Sequence, residues 1–397
     1  MEKPEVPMIT CIRGGRVFAP EPMGSRDIVV AGGRVVAVRE PGTVRVDGME
    51  IVEIDAADRL IVPGFIDSHV HILGGGGEGG PATRAPEIRL EDIIGAGVTT
   101  VVGCLGTDGT TRHMESLLAK ARGLEVEGVS TFIFSGSYEF PVRTLTAGVR
   151  SDLIIVDKVI GAGEIALSDH RSSQPTFEEF ARLAADCRVG GMLGGKAGVL
   201  HCHLGDGPGK LGYFFRLISE TEIPPTQVIG THINRNAALF RDGLRWLRAG
   251  GYIDITVGPD PDPAKDPEVS IEDCVRLMQA EGLSMNRLTI SSDANGSFPV
   301  FDQAGKLIGL TIATEKDLFR KFRDLVRKKI LGVEDALRPF SANAAEYYKL
   351  GRKGRIAEGM DADLLLLTED LSLDAVISRG RIMMEGGRLA VRGTFGS

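Results

Sequence analysis

Apolar and polar positions follow one rhythm at the two ends of the chain and another between them. In the first sixty residues short apolar runs, Ile9–Ile12, Ile28–Val30, Val35–Val38 and Ile51–Ile54, are punctuated by the glycine pairs Gly14–Gly15 and Gly32–Gly33. Runs of this length between turn residues predict strands joined by tight turns. The same texture returns in Ala362–Leu367, Ala375–Ser378, Arg381–Met384 and Leu389–Val391. Residues 1–60 and 351–397 are therefore expected to pair into one small β-sandwich. Between them eight β-rich apolar runs appear: Leu60–Ile66, Val98–Gly103, Ser130–Phe134, Val159–Ala166, Val199–His203, Val228–Thr231, Tyr252–Val257 and Leu288–Ser292. They alternate with segments of helical period, among them Arg112–Glu125, Phe177–Cys187, Ala237–Ala249, Ile271–Glu281, Glu315–Lys329 and Val333–Phe340. Such alternation predicts a parallel sheet with helical crossovers. Eight strands over residues 61–350 suit an α/β fold of the (β/α)8 TIM-like barrel type better than an open doubly wound sheet.

Composition narrows the partners. The 397 residues are 43% hydrophobic and 25% charged, enough to bury a sizeable core, and the net charge of -8 offers no broad field for neutralising phosphates. A small polar substrate is expected instead of nucleic acid. No stretch approaches the roughly 18–20 apolar residues that cross a bilayer, and the N-terminus carries no basic region followed by an apolar one, so no membrane partner is expected. The five cysteines are scattered and odd in number, which fits a reducing, cytoplasmic setting better than a disulfide framework.

A barrel of this kind carries its chemistry at the C-terminal ends of its strands. The first run leads into Asp67-Ser68-His69-Val70-His71, where i, i+2 spacing sends both imidazoles to one face, and two converging imidazoles suit a metal ion. The fifth run ends in His201-Cys202-His203, the sixth in Thr231-His232 and the eighth in Ser291-Ser292-Asp293. His69, His71, His203, His232 and Asp293 are the expected set; His201 is placed deeper than the mouth, and His113 and His170 are read as ordinary polar residues. Two glycine-rich stretches carry no phosphate chemistry. In Gly190–Lys196 an alanine, Ala197, stands where a phosphate loop needs Ser or Thr, and Gly74–Gly80 contains Glu78, which would repel phosphate.

The segment Pro63-Gly64-Phe65-Ile66-Asp67-Ser68-His69-Val70-His71 resembles the opening signature of the amidohydrolase superfamily, and Lys353–Leu364 resembles its return into the sandwich. Gly74–Glu78, Gly103–Asp108, Ser168–Ser172, Thr231–Asn236 and Ser291–Ser297 are most similar to the isoaspartyl (β-aspartyl) dipeptidases. The resemblance implies two zinc ions, Zn2+, one held by His69, His71 and Asp293 and the other by His203 and His232. It also implies attack on the amide carbonyl by a zinc-activated hydroxide, Asp293 as general base and acid, Tyr138 steadying the oxyanion, and a homo-oligomer.

An isoaspartyl dipeptide presents one ammonium and two carboxylates. Glu78 and Ser297 are expected to meet the ammonium and Arg171 and Arg235 the carboxylates, with Gly76 and Thr107 as further contacts. The chain departs from the family at the bridging ligand: where a carboxylated lysine is expected stands Glu164, whose carboxylate lies about three atoms nearer the backbone. Lys158 and Lys196 stand at the wrong ends of their strands to replace it. Glu164 is expected to bridge the two ions, with a single tightly held ion as the competing outcome. Alternative functions are a related amidohydrolase acting on cyclic amides or N-acyl amino acids, and a catalytically weakened scaffold. Phe298–Leu310 is the expected closing loop.

Overall fold

The structure, a computed structural model, describes residues 9–258, 268–301 and 307–396. Eight parallel strands lie in chain order in one sheet: β1 (Phe65–Val70), β2 (Val98–Gly103), β3 (Ser130–Ser135), β4 (Val159–Leu167), β5 (Val199–Leu204), β6 (Val228–Thr231), β7 (Tyr252–Thr256) and β8 (Leu288–Ser291). β8 returns to β1 through a parallel bridge between Val70 and Ala294 and a hydrogen bond from the Ser292 amide to Asp67 at 3.2 Å, so the sheet closes into the expected barrel. Each strand must bury both faces, which is why these runs read as continuous apolar stretches. On the inside, Ile66, Val102, Phe134, Ile160, Val199 and Ile229 pack against Tyr347 and Tyr348 at the end of helix Ala342–Tyr347. Ile66, Ile160, Val199 and Ile229 stand in the first two positions of their strands, so the plug sits below the C-terminal mouth, which is left for chemistry.

Both chain ends share a second, nine-stranded sheet, in which Leu60–Pro63 pairs parallel with Ile9–Phe18 on one side and antiparallel with Leu364–Leu367 on the other. The sheet curls until Arg34 bridges Asp361, and Ile12, Ile28, Val35, Ile61, Leu364 and Ile377 form its separate apolar core.

The run Leu60–Ile66, read from sequence as the first barrel strand, is divided. Its first four residues belong to the terminal sheet, and the barrel strand begins at Phe65. The divide falls at Gly64, where a Cβ would stand 2.2 Å from Thr99 Oγ1. An apolar run buried by two sheets in succession carries no polar mark where it changes sheet. The helix expected over Phe177–Cys187 continues to Gly194. Gly190 and Gly191 lie inside it because a Cβ there would meet Leu153 at 2.9 Å and Gly198 at 2.6 Å, so they are close-packing glycines, not a loop. The expected closing loop contains a hairpin, Ser297–Phe301 paired with Leu307–Ile312, while its residues 302–306 lie outside the described ones. No helix among the described residues is long and apolar enough to cross a membrane.

Candidate active site

Five strand ends converge at the mouth. The i, i+2 spacing brings His69 and His71 side by side with ring centres 5.4 Å apart. From β4, Glu164 sends Oε1 to within 3.3 Å of His71 Nε2, and Oε2 to within 3.4 Å of His69 Nε2. The same Oε2 lies 3.3 Å from His203 Nδ1 and 3.9 Å from His232 Nε2. Asp293 Oδ1 is 3.0 Å from His71 Nε2 and 3.5 Å from His69 Nε2. His232 and Asp293 follow the last residues of their strands with φ of 60° and 53°, left-handed values that non-glycine residues adopt at a cost of order 1–3 kcal/mol. Bent this way, both side chains turn in over the barrel axis.

The centre's electrostatics are those of a cation site. Both oxygens of Glu164 and Oδ1 of Asp293 are buried without a hydrogen-bond donor, an arrangement costing several kcal/mol unless positive charge compensates it. Burial alone would raise the Glu164 carboxyl, but His69, His203 and His232 outweigh it and hold it well below the usual range. Burial pushes His232 down to about 3, leaving it neutral, the form that binds metals. Within each of the overlapping groups His69, His71 and Glu164; His69, His232 and Asp293; and Glu164, His203 and His232, imidazole nitrogens and carboxylate oxygens lie within 4.8 Å of one another, a spacing that fits a divalent cation.

A second layer fixes the imidazoles. His201, set aside in the sequence reading, is buried with Nε2 2.7 Å from His69 Nδ1 and Nδ1 3.1 Å from the Tyr348 hydroxyl. Its ring stacks on Phe134. Thr256 Oγ1 lies 2.7 Å from His232 Nδ1, and Asp169 Oδ2 lies 2.9 Å from His203 Nε2. Partners of this kind orient ligand imidazoles. The shared-face spacing of His201 and His203, the same as that of His69 and His71, is the sequence signal for His201; Asp169, within Ser168–Ser172, carries none. Lys158 and Lys196 instead give their Nζ groups to the carbonyls of Thr131 and Val156, away from the mouth. His113 is exposed before helix Met114–Glu127, and His170 is exposed at the mouth.

Beside this centre opens a cavity of about 330 Å³, whose wall includes His71, Glu78, Tyr138, Arg171, Arg235 and Asp293. Thr107 donates to Glu78 Oε1 at 2.9 Å, Ser297 donates to Oε2 at 3.1 Å, and Arg171 Nη1 lies 3.3 Å from Oε1. Burial opposes the Glu78 charge, yet its own backbone amide, Thr107, Arg171 and Ser297 keep its carboxyl below the ordinary range. Asp169 grips Arg171 through two bonds of 3.0 and 2.8 Å, aligning its guanidinium 5.4 Å from the Tyr138 ring centre. The Tyr138 hydroxyl reaches His203 Nδ1 at 2.7 Å. Arg235 is tied by Nε to the Leu204 carbonyl at 2.9 Å. Gly76, with φ of 76°, presses so close to the Thr83 carbonyl that a Cβ would stand 2.5 Å from it. All the site residues expected from sequence therefore meet at one end of the barrel.

The sequence pattern of the amidohydrolase family matches residues 239–383. The structure is similar to that of a β-aspartyl dipeptidase from Fervidobacterium islandicum AW-1 in complex with the β-Asp-Leu dipeptide, at 43% identity and a TM-score of 0.91 over 98% of each chain. Dihydropyrimidinase from Brevibacillus agri shares the fold at 17% identity, with a TM-score of 0.67 over 97% of each chain. Among curated proteins, an adenine deaminase from Halalkalibacterium halodurans is 26% identical over 92% of this chain, and the chain spans 55% of its length.

Proposed function

Because the chain belongs to the amidohydrolase superfamily and, within it, to the β-aspartyl dipeptidases, we propose that it hydrolyses the isopeptide bond of β-aspartyl dipeptides. The observation that carries this reading is the pairing of a cation site, centred on the unpartnered Glu164 carboxylate, with a cavity wall on which Glu78 stands opposite Arg171 and Arg235, while Asp169 is engaged by Arg171 and Asp293 faces the imidazoles. Glu78, Arg171 and Arg235 are together the charge complement of a molecule with one ammonium and two carboxylates.

In this reading His69, His71 and Asp293 would hold one zinc ion and His203 and His232 a second, with the Glu164 carboxylate available to both. When bound, they polarise the amide carbonyl and lower the pKa of water towards neutrality. Asp293 accepts the proton of the attacking water and returns it to the leaving amine nitrogen. The Tyr138 hydroxyl donates to the oxygen that gains charge. Glu78 and Arg171 already pair with each other at 3.3 Å, so the dipeptide enters by splitting that pair. Its ammonium goes to Glu78, helped by Thr107 and Ser297, and a carboxylate goes to Arg171. Arg235 takes the second carboxylate, and the backbone at Gly76 lines the path. The shared sheet of the chain ends supports residues 1–60 and 351–397 as one composite domain beside a barrel of residues 61–350. The family resemblance supports a cytoplasmic homo-oligomer.

The test is hydrolysis of β-Asp-Leu, α-Asp-Leu and N-acetyl-β-Asp-Leu. Cleavage confined to the first is expected. Equal rates on the blocked peptide would overturn the dipeptidase reading in favour of an N-acyl or cyclic amide hydrolase. Metal analysis on the same preparation should find two ions per chain; one would remove Glu164 from its bridging role.

A further inference from the structure

Outside the set just described, one more buried side chain faces the centre. Cys104 follows the last residue of β2 and is 1% exposed. Its amide donates to the Val70 carbonyl at 3.0 Å, which ties the end of β2 to the backbone between His69 and His71. From there Sγ lies 3.8 Å from His69 Nε2 and 3.9 Å from His71 Nδ1. One ligand atom each from His69, His71, Cys104 and Glu164 falls within 4.8 Å of all the others. Around a tetrahedral zinc, with bonds of about 2.0–2.3 Å, neighbouring ligand atoms stand about 3.3–3.8 Å apart, so the cluster has nearly the spacing one ion requires. Independently, Glu164, a member of this same cluster, has both side-chain oxygens buried and without donors.

We propose that Cys104 is a thiolate ligand of the cation held by His69 and His71. The proposal rests on the reading that this centre takes divalent cations. Sulfur makes the two halves of the centre chemically unlike: the half at His69 and His71 gains a soft donor, whereas the half at His203 and His232 has only nitrogen and oxygen. It also eases the demand on Glu164, whose short side chain must serve both halves. The half with sulfur should retain zinc, cadmium and cobalt against chelators longer than the other half does.

Absorption spectroscopy of the cobalt-substituted protein tests this without reference to turnover. The full chain is stripped with chelator, reloaded with Co2+ and assayed for bound metal. A sulfur-to-cobalt charge-transfer band in the near ultraviolet is expected in the wild type and in Cys202→Ser, since Cys202 is buried in the outer apolar core. The band should vanish in Cys104→Ser. Cobalt bound without the band, or a band that survives Cys104→Ser, overturns the thiolate proposal and leaves the cation site standing. A wild type that binds no cobalt overturns the cation reading itself. Should Cys104→Ser fail to fold, cadmium-113 NMR of the wild type decides: a far-downfield, sulfur-ligated resonance is expected, and its absence refutes the assignment.

Discussion

Asp254 shows how burial and hydrogen bonding compete over one carboxylate. Thr289 donates to Oδ1 at 2.6 Å, while Thr231 and Ser291 donate to Oδ2 at 2.7 and 2.6 Å. Burial still wins and pushes the carboxyl up to about 6. Between its ordinary value near 4 and that point the folded chain keeps a proton that the unfolded chain releases, so stability falls as pH rises through this window, by up to about 3 kcal/mol. Asp254→Asn should flatten that fall; urea melts of both proteins at pH 4 and pH 7 measure it, and an unchanged slope would refute the assignment. His201 poses the opposite problem, since it sets the ring of His69 without facing substrate. His201→Phe keeps the stacking on Phe134 but removes the bond to Nδ1, and metal affinity should drop about 10–100-fold. Competition with a chelator reads this directly, and unaltered affinity would return His201 to a packing role. The spacing of His201 was visible in the sequence, but its partner Tyr348 lies 147 positions away, so only the folded chain shows what it orients.

At the scale of elements, Arg112 adds a side-chain anchor to the backbone bonds, such as Gly75 to Asn295 and Gly77 to Thr83, that hold the glycine-rich stretch after His71. The guanidinium of Arg112 is buried and donates to the carbonyls of Leu73, Gly75, Gly76 and Ala85 at 2.9–3.4 Å. One side chain thereby helps to hold the loop that presents Glu78. Arg112→Met removes this donor from the Leu73, Gly76 and Ala85 carbonyls, whereas Gly75 keeps the Ala85 amide, at a cost of about 1–3 kcal/mol. It should raise KM more than it lowers kcat, with new protease cleavage near Gly77; a variant altered only in kcat would show that the loop keeps its shape unaided. The helices with the clearest apolar period were legible: Val333–Phe340 has the bounds expected, and Ala237–Arg248 differs by one residue. Helix Val149–Ile155 was not, since its short apolar stretch is silent on period and it is held by packing on helix Phe177–Gly194.

For the whole molecule, the barrel gathers at one end buried carboxylate oxygens without hydrogen-bond donors, which a bound cation would offset. Removing metal should therefore cost stability as well as activity, by about 4 kcal/mol relative to protein at a thousandfold excess over Kd. Chelation should lower Tm, and restoring zinc should recover it; a Tm indifferent to chelator would mean that protons satisfy Glu164 and Asp293 equally well. The residues by themselves determined the barrel class, the pairing of the chain ends and which imidazoles and carboxylates meet at the mouth. Strand periodicity and strand-end chemistry are local properties, repeated often enough along 397 residues to be counted. The break at Gly64, the long glycine-bearing helix, and the gathering of His201, Asp169 and Cys104 around the centre depended on close approach between distant segments. Such contacts are set by which backbones can pack together, and no stretch of sequence carries that information alone.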